Sequence, residues 1–378
     1  MDSERPPIPP FLWVAPYVLS FVALFINFQT LRAAMFVPVA GILVHITTLG
    51  ISPSEHAMAC AITQLTLQML DFLVLTDAHA ELRLVDQTED TDRLPFFERV
   101  KWVLRLMTSP RLVGWVNEPK NGIPPRPTDT SRLRFALKQL VYLGINLLVL
   151  NIVDITMTLR SQWQSAHELG AAGTWALRSV YALQQGLLTW MGIKLSHHMW
   201  ILLVLATGRW MPNELPPLFS NPGNAITLRK FWGRTWHQML RRVITAPSAF
   251  IANTLLHLPR HGKLSRYTQL YLAFFFSGLI HAWPEYMLFG HLAGSMRFFL
   301  LQALAIHCED TLLSLAGRMG LKQSKMWEIV GYVWVWQWFT WCIPAWVGPL
   351  VESGVPGAKV EIIQGLCAFH SKGCYLPA

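Results

Sequence analysis

Charged residues are scarce in this sequence. Only 14% of its 378 residues are Asp, Glu, Lys or Arg, whereas an average soluble domain has roughly 25%. Hydrophobic residues make up 52% of the chain, and they include 17 Trp and 20 Phe. This composition argues against a water-soluble fold, and it excludes disorder, collagen and coiled coils. It fits a protein whose outer surface meets lipid and whose interfaces carry aromatic belts.

Several sequence motifs are also missing. The five cysteines, at positions 60, 308, 342, 367 and 374, are an odd number without a CxxC pair, so no disulfide scaffold, redox motif or metal framework follows. We therefore predict no bound metal. No GxSxG, P-loop or GxGxxG motif in a strand-helix context occurs. The apolar residues 11–28 lack a small-residue cleavage pattern, which predicts a retained membrane span rather than a secretory signal peptide.

The net charge of +9 is typical of two classes of protein. Nucleic-acid-binding proteins carry such an excess on a water-facing module, and no such module is present. In a membrane protein the excess reflects cytoplasmic loops, and it also serves anionic lipids or phosphorylated substrates. We expect membrane lipid, and no nucleic acid, among the partners.

Long apolar windows predict the architecture, because a membrane helix needs about 20 apolar residues. We expect an all-α, polytopic membrane protein with about eight transmembrane helices and a single domain over residues 1–378. A ninth, shorter apolar stretch at 249–258 is re-entrant or interfacial. The eight windows are residues 11–28, 33–51, 57–76, 135–158, 177–207, 268–290, 295–316 and 328–350.

Charge predicts the orientation of these spans. The loop 77–134 holds ten Lys or Arg and nine acids, and residues 209–267 hold nine Lys or Arg and one acid. Both loops are expected on the cytoplasmic side. The number of spans between and around them then places both termini on the lumenal side.

A histidine within an apolar span is the most informative feature. His281 lies well inside the window 268–290, after the small residues Ser277 and Gly278. An ionisable group at this depth is costly and is expected to face a cavity or a partner. Small residues before it allow close approach of another helix or of a ligand. Catalysis and a packing role, with a hydrogen bond to a neighbouring helix, both remain open from position alone.

A basic aromatic segment, residues 226–242, is the second feature. Thr227 is a helix cap, and aromatic residues fall on one sector while the cations lie largely elsewhere, which predicts an amphipathic interfacial helix. His237 lies in the same segment, with cations within one turn of it. The segment is therefore either an interfacial anchor or a receptor for an anionic cofactor.

These two segments resemble a known family. FWGRTWH at 231–237, followed by FFFSGLIH at 274–281 in a chain of about eight spans, resembles the wax-synthase-domain branch of the membrane-bound O-acyltransferases. The preceding PLFSNPGNAITLRKFW is similar to the proline and glycine stretch of that branch. The resemblance is specific over residues 215–290, and it is strongest to fungal acetyltransferases of terpenoid and meroterpenoid secondary metabolism.

The resemblance implies roles for particular residues. His281 corresponds to the catalytic histidine of the family, and His237 to its second active-site position. Two departures are present: Thr235 replaces a second arginine common in the branch, and His237 stands where the superfamily often has Asn or Asp. His237 either donates a hydrogen bond, binds substrate or supports the fold.

The implied reaction follows from elementary chemistry. An alcohol attacks a thioester when a base takes its proton, and a neutral imidazole with a pKa near 6.5 suits that task at neutral pH. The His237 N–H or the Trp236 indole N–H is a candidate donor to the oxyanion. The resemblance implies that the co-substrate is acyl-CoA, with acetyl-CoA expected, that no cofactor is permanently bound, and that the acceptor is a lipophilic alcohol in the endoplasmic reticulum membrane. The predicted contacts to the CoA are Arg229, Lys230, Arg234, Trp236, Arg241 and Arg242.

Two enzyme alternatives stay open, together with a non-catalytic transporter or lipid-binding protein. A wax-ester or sterol-ester synthase would use a long fatty acyl-CoA. An integral-membrane terpene cyclase would need no acyl-CoA and would protonate its substrate with a buried acid such as Asp154, Glu309 or Asp310. Glu285, four residues after His281, is a further candidate to orient the His281 ring.

Overall fold

The computed structural model describes residues 5–119, 123–166, 170–322 and 324–355. These residues are all-helical apart from turns and loops, and two isolated bridges are the β-structure found within the described ranges. The predicted all-α class is confirmed. Two of the five cysteines, Cys367 and Cys374, lie outside the described residues. The other three are free thiols.

Helices occur in all eight apolar windows. The first half of the chain contains α1 (Pro10–Leu24), α2 (Gln29–Ala34), α3 (Phe36–Ile46), α4 (His56–Met69), α5 (Ala78–Glu81), α6 (Phe96–Thr108) and α7 (Arg132–Ala166). The second half contains α8 (Ala171–Ala206), α9 (Leu228–Lys230), α10 (Arg241–Ala249), α11 (Lys263–Phe289), α12 (Ser295–Arg318) and α13 (Lys325–Glu352).

Five of the described helical segments are long and apolar enough to cross a membrane: Gln29–Ile46, Pro53–Leu75, Arg132–Ser161, Ala171–Ala206 and Ser295–Arg318. Helix α1 is apolar but shorter, with 15 residues. Helices α11 and α13 have 27 and 28 residues, but polar groups and tryptophans lower their hydropathy. The protein is a membrane protein, and the number of eight spans stays a prediction.

The predicted interfacial helix over residues 226–242 is wrong as a single helix. The chain forms α9 and a π-helix at Phe231–Thr235, leaves helical geometry at Trp236, and becomes helical again at α10. The Gln238 amide stabilises this break, because its Nε2 donates to the Trp232 carbonyl at 3.0 Å and to the Trp236 carbonyl at 2.8 Å. The aromatic spacing fits a helix, but the Gln238 side chain binds the carbonyls of Trp232 and Trp236, where the helix would otherwise continue. The shorter apolar stretch continues α10 as a π-helix, Phe250–Leu255.

The described chain divides into two compact units. One contains the residues up to Pro125 together with Pro217–Tyr332, and the other contains Arg126–Pro216 and the residues from Val333 onward. The second unit includes the antiparallel pair α7 and α8, which buries Leu150, Val153 and Leu188. Every residue of the candidate site described below belongs to the first unit. A single domain over 1–378 stays a prediction.

Helix α11 lies against α4 and α12 in the first unit. Ala59 and Ile62 of α4 share a buried cluster with Met287 of α11. Helix α12 comes close to α11 at Gly278, since a Cβ added there would lie 3.1 Å from the Met296 Sδ and 3.2 Å from the Phe299 Cβ. The small surface predicted at this position therefore serves helix packing. Helix α11 ends at Gly290, whose φ of 78° is left-handed and suits glycine.

Candidate active site

The break after the π-helix positions His237. Because Trp236 is extended, with ψ 157°, the next residue leaves the helical path and turns into the protein. The ring of His237 contacts Trp236, with centroids 5.6 Å apart, and meets Phe219 edge-on at 6.0 Å. Its Nδ1 is buried and has no hydrogen-bond partner among the described residues. A buried imidazole nitrogen of this kind is available to a ligand.

His281 is positioned by α11 and α12 together. Its ring stacks on Phe299, with centroids 4.9 Å apart and ring planes within 9°. The close approach of α12 at Gly278 brings Phe299 to this place. The stack restricts rotation of the imidazole about its side-chain bonds. A base that must meet a substrate proton benefits from such a fixed orientation.

Three histidines come together around His281. The His281 ring is electrostatically coupled to both His237 and His56, which places the three side chains in one neighbourhood. The structure therefore brings together the two histidines that the sequence motifs indicated. His56, the first residue of α4, was missed, because its proximity to His281 depends on the packing of α4 against α11.

Burial and a nearby cation keep His237 neutral. Burial, together with a smaller effect of the positive charge of Arg111, lowers the pKa of His237 from 6.5 to about 4. Arg111 is itself buried, and its guanidinium donates to the Pro217 carbonyl at 2.7 Å. Sequence reasoning missed this arginine, which lies far away in the loop 77–134. A neutral imidazole has one N–H donor, which is what an oxyanion contact requires.

Aromatic side chains form the wall beside these histidines. Trp232 meets Phe274, Phe298 and Phe299 at centroid distances of 5.9, 6.4 and 6.2 Å. Its indole N–H donates to the Gln302 Oε1 at 3.3 Å. Trp236 stacks on Phe231 at 5.5 Å. The FWGRTWH segment therefore packs its aromatic residues against α11 and α12, and this wall suits an apolar ligand.

Two of the predicted CoA-binding cations have carboxylate partners. Arg229 contacts both carboxylate oxygens of Asp310, with its Nε 2.9 and 3.1 Å from them. Arg242 contacts Asp71, with its Nε 2.6 Å from Oδ2 and its Nη2 3.1 Å from Oδ1. Asp71 is only 1% exposed, so Arg242 neutralises a buried acid. Both arginines hold helices together, which leaves less of their charge for a cofactor.

The other cations of segment 226–242 form no ion pair with an acidic side chain in the described ranges. Arg241 donates to the Gln238 Oε1 at 3.2 Å. Lys230 and Arg234 form no ion pair with any residue in the described ranges, and Arg234 is exposed. Thr235, the departure from the family pattern, is buried at 1% exposure, so an arginine in this backbone position would be buried too.

The buried acids have structural partners. Glu309 accepts the backbone N–H groups of Leu228 and Arg229, at 2.8 and 3.2 Å, and so caps α9. Glu285 accepts the backbone N–H groups of Gly294 and Ser295, both at 3.1 Å, and caps α12. Glu285 thus stabilises the α11–α12 connection rather than serving the His281 ring. With Asp310 paired to Arg229, the acids proposed for a cyclase are largely occupied, and Asp154 lies on α7 in the other unit.

Comparison with known proteins identifies the family of this chain. Residues 215–301, which contain both histidine motifs, match the model of the membrane bound O-acyl transferase family. Over nearly the full length, the chain is 30% identical to the acetyltransferase eriL of Hericium erinaceus, covering 97% of this chain and 98% of that protein. It is also 30% identical to the acetyltransferase ple2 of Rhodocybe pseudopiperita, covering 98% of each chain. The O-mevalon transferase macI of Penicillium terrestre is 31% identical, over 68% of this chain and 64% of that protein.

Proposed function

Because this chain belongs to the membrane bound O-acyl transferase family, we propose that it transfers an acetyl group from acetyl-CoA to a hydroxyl group of a terpenoid or meroterpenoid. The protein is an acyltransferase of the membrane. The acetyl donor, the acceptor class and the endoplasmic reticulum location constitute the proposal. One observation carries it: a stacked His281 beside a neutral His237, next to a wall of aromatic side chains.

The reaction proceeds through His281 as general base. The imidazole of His281 takes the proton of the acceptor hydroxyl while the hydroxyl oxygen attacks the thioester carbon, which gives a tetrahedral intermediate. When the intermediate collapses, the C–S bond breaks, and the proton passes from His281 to the departing CoA thiolate. The products are an acetate ester and free CoA, and His281 is neutral again.

His237 stabilises the oxyanion of the intermediate. As a neutral imidazole it donates one N–H, and the buried position makes that donor effective because water does not compete for the oxyanion. The Trp236 indole lies beside the His237 ring and is a second candidate donor.

Lys230 and Arg234 contact the phosphates of the CoA. These two cations have no acidic partner in the described ranges, and they occur in the loop that we predict to be cytoplasmic, where CoA is found. Arg229, Arg241 and Arg242 belong to the same segment, with Arg229 and Arg242 mainly stabilising it. Basic side chains that are not paired with a carboxylate can form charge-assisted hydrogen bonds with phosphate groups.

The acetyl donor is supported by the relatives named acetyltransferases, eriL and ple2. A relative named an O-mevalon transferase is also similar, so the acyl group must be tested directly. Microsomes with the wild-type protein are incubated with labelled acetyl-CoA, or with labelled palmitoyl-CoA, and with a panel of hydroxylated sesquiterpenes and diterpenes. Label in an organic-soluble ester from acetyl-CoA supports the proposal, with microsomes lacking the protein as the control.

Two outcomes would contradict the proposal. Transfer from palmitoyl-CoA but not from acetyl-CoA would make the protein a long-chain ester synthase. Conversion of the terpenoids without any acyl-CoA would indicate a different reaction, such as cyclisation.

A further inference from the structure

His56 is a buried histidine that no part of this mechanism uses. It is the first residue of α4 and is only 8% exposed. Its Nδ1 lies 3.9 Å from the Cys60 Sγ, one turn further along the helix. Its Nε2 is buried and meets no hydrogen-bond partner within the part of the chain that the structure describes. A buried polar atom without a partner is costly, and a bound ligand would remove that cost.

The face of α4 that carries His56 packs on the helix of the catalytic base. Residues three and four positions apart share one helix face, so His56, Ala59 and Cys60 lie together. Ala59 belongs to a buried cluster against which Trp283 packs, and Cys60 packs on a second cluster that includes Ile280. Ile280 and Trp283 flank His281 in the sequence. His56 and His281 are also close enough to be electrostatically coupled.

We propose that the His56 Nε2 binds the hydroxyl group of the acceptor and orients its oxygen toward the thioester carbon, as a third catalytic-site histidine. This inference rests on the proposed acyltransferase reaction and adds the recognition of the acceptor to it. In the step, the acceptor oxygen forms the new C–O bond, its proton passes to His281, and the C–S bond to CoA breaks. His56 only holds the oxygen and gains or loses no proton.

The position of His56 along α4 favours the acceptor over the CoA. Asp71, which pairs with the basic segment through Arg242, lies 15 residues further on, or roughly 22 Å along a helix. Arg242 of that segment therefore meets the opposite end of this helical stretch from His56. A hydroxyl acceptor needs an uncharged polar contact among apolar side chains, which His56 supplies.

The test compares kinetic constants of the full-length protein in microsomes, with labelled acetyl-CoA and the terpenoid alcohol that the wild type acetylates fastest. The variants are His56→Ala, and His56→Gln, which keeps an amide near the position of Nε2. His45→Ala is the matched control, since His45 is an exposed histidine on the preceding long helix. Protein amounts are normalised by immunoblot.

The expected result is a specific loss of acceptor use. In His56→Ala, kcat/KM for the acceptor falls about 10-fold to 100-fold, which is the size of effect that loss of one substrate hydrogen bond produces, and KM for acetyl-CoA stays within about twofold. His56→Gln recovers at least part of the loss, and His45→Ala behaves like wild type.

Different failures are distinguishable. Unchanged acceptor kinetics in both His56 variants overturn the inference while leaving the proposed function intact. An equal loss in His56→Ala and His56→Gln, or a parallel rise in KM for acetyl-CoA, also overturns it, because a role in helix packing would produce that pattern. No transfer by the wild type would contradict the proposed function, and the inference would fall with it.

Discussion

The imidazole of His281 lies parallel to the ring of Phe299, with centroids 4.9 Å apart and a 9° angle between the planes. The two residues belong to α11 and α12, and these helices pack closely at Gly278. The orientation of the proposed base therefore depends on helix packing as well as on its own chemistry.

Removing the stacking partner should slow catalysis without abolishing it. Phe299→Leu keeps an apolar side chain but loses the flat surface, so the His281 ring samples more orientations. We expect kcat to fall about 10-fold, with KM for acetyl-CoA little changed. Phe275→Leu is the control, because Phe275 on α11 is 40% exposed. Equal kcat values for the two variants would contradict a positioning role of Phe299.

The buried His237 should make stability depend on pH. Its folded-state pKa is lowered to about 4 from 6.5, so below pH 6.5 the unfolded chain binds a proton here that the folded chain does not. The folded state therefore loses stability as the pH falls from about 6.5 toward 4. Thermal unfolding in detergent at pH 7.5, 6.0 and 5.0 measures this loss, which should be smaller in His237→Gln.

The exposed His45 supplies the control for that pH series. His45→Gln should follow the wild-type dependence at every pH, since the His45 side chain lies exposed on α3, away from the buried site of His237. If His237→Gln and the wild type lose the same amount of Tm on acidification, the ring of His237 is not held neutral by its surroundings.

Lys230 and Arg234 should affect the use of CoA selectively. We expect Lys230→Ala and Arg234→Ala each to raise KM for acetyl-CoA about 3-fold to 10-fold, with kcat nearly unchanged. Added salt should reduce the difference from wild type, because exposed charges are screened. Arg260→Ala removes an exposed charge from the same predicted loop, and it should leave KM unchanged. A matching increase in Arg260→Ala would indicate a general electrostatic effect.

Arg242 should behave as a structural residue instead. Arg242→Met leaves the carboxylate of Asp71, 1% exposed, without its ion-pair partner, and breaking a buried ion pair in this way costs about 3–5 kcal/mol. We expect a large loss of folded protein, measured by the detergent-solubilised fraction and Tm. The double variant Asp71→Asn with Arg242→Met should be more stable than Arg242→Met alone. A normal Tm together with a raised KM for acetyl-CoA in Arg242→Met would contradict the structural role and would indicate that Arg242 contacts the CoA.

Sequence patterns predicted the helical membrane fold and both motif histidines. A histidine in an apolar window can be recognised from the sequence, because burying an ionisable group is costly and therefore indicates a functional role or a polar partner. His56 and Arg111 gave no comparable signal, since each acts across the fold, through α4 packing on α11 and through the buried contact to Pro217. The basic segment was misassigned as one helix because its aromatic spacing is the same whether or not Gln238 interrupts the backbone. The ion pairs of Arg229 and Arg242 could not be predicted from the sequence either, because their partners Asp310 and Asp71 are remote in sequence.

The role of His281 as the base is tested most directly by acetyl transfer in microsomes containing wild type, His281→Ala or His45→Ala, normalised to protein amount. Labelled acetyl-CoA and the best terpenoid acceptor are supplied at saturating concentration. The mechanism predicts full transfer by the wild type and by His45→Ala, and a loss of at least about 100-fold in His281→Ala. Transfer by His281→Ala at the wild-type rate would contradict it and remove His281 from the reaction.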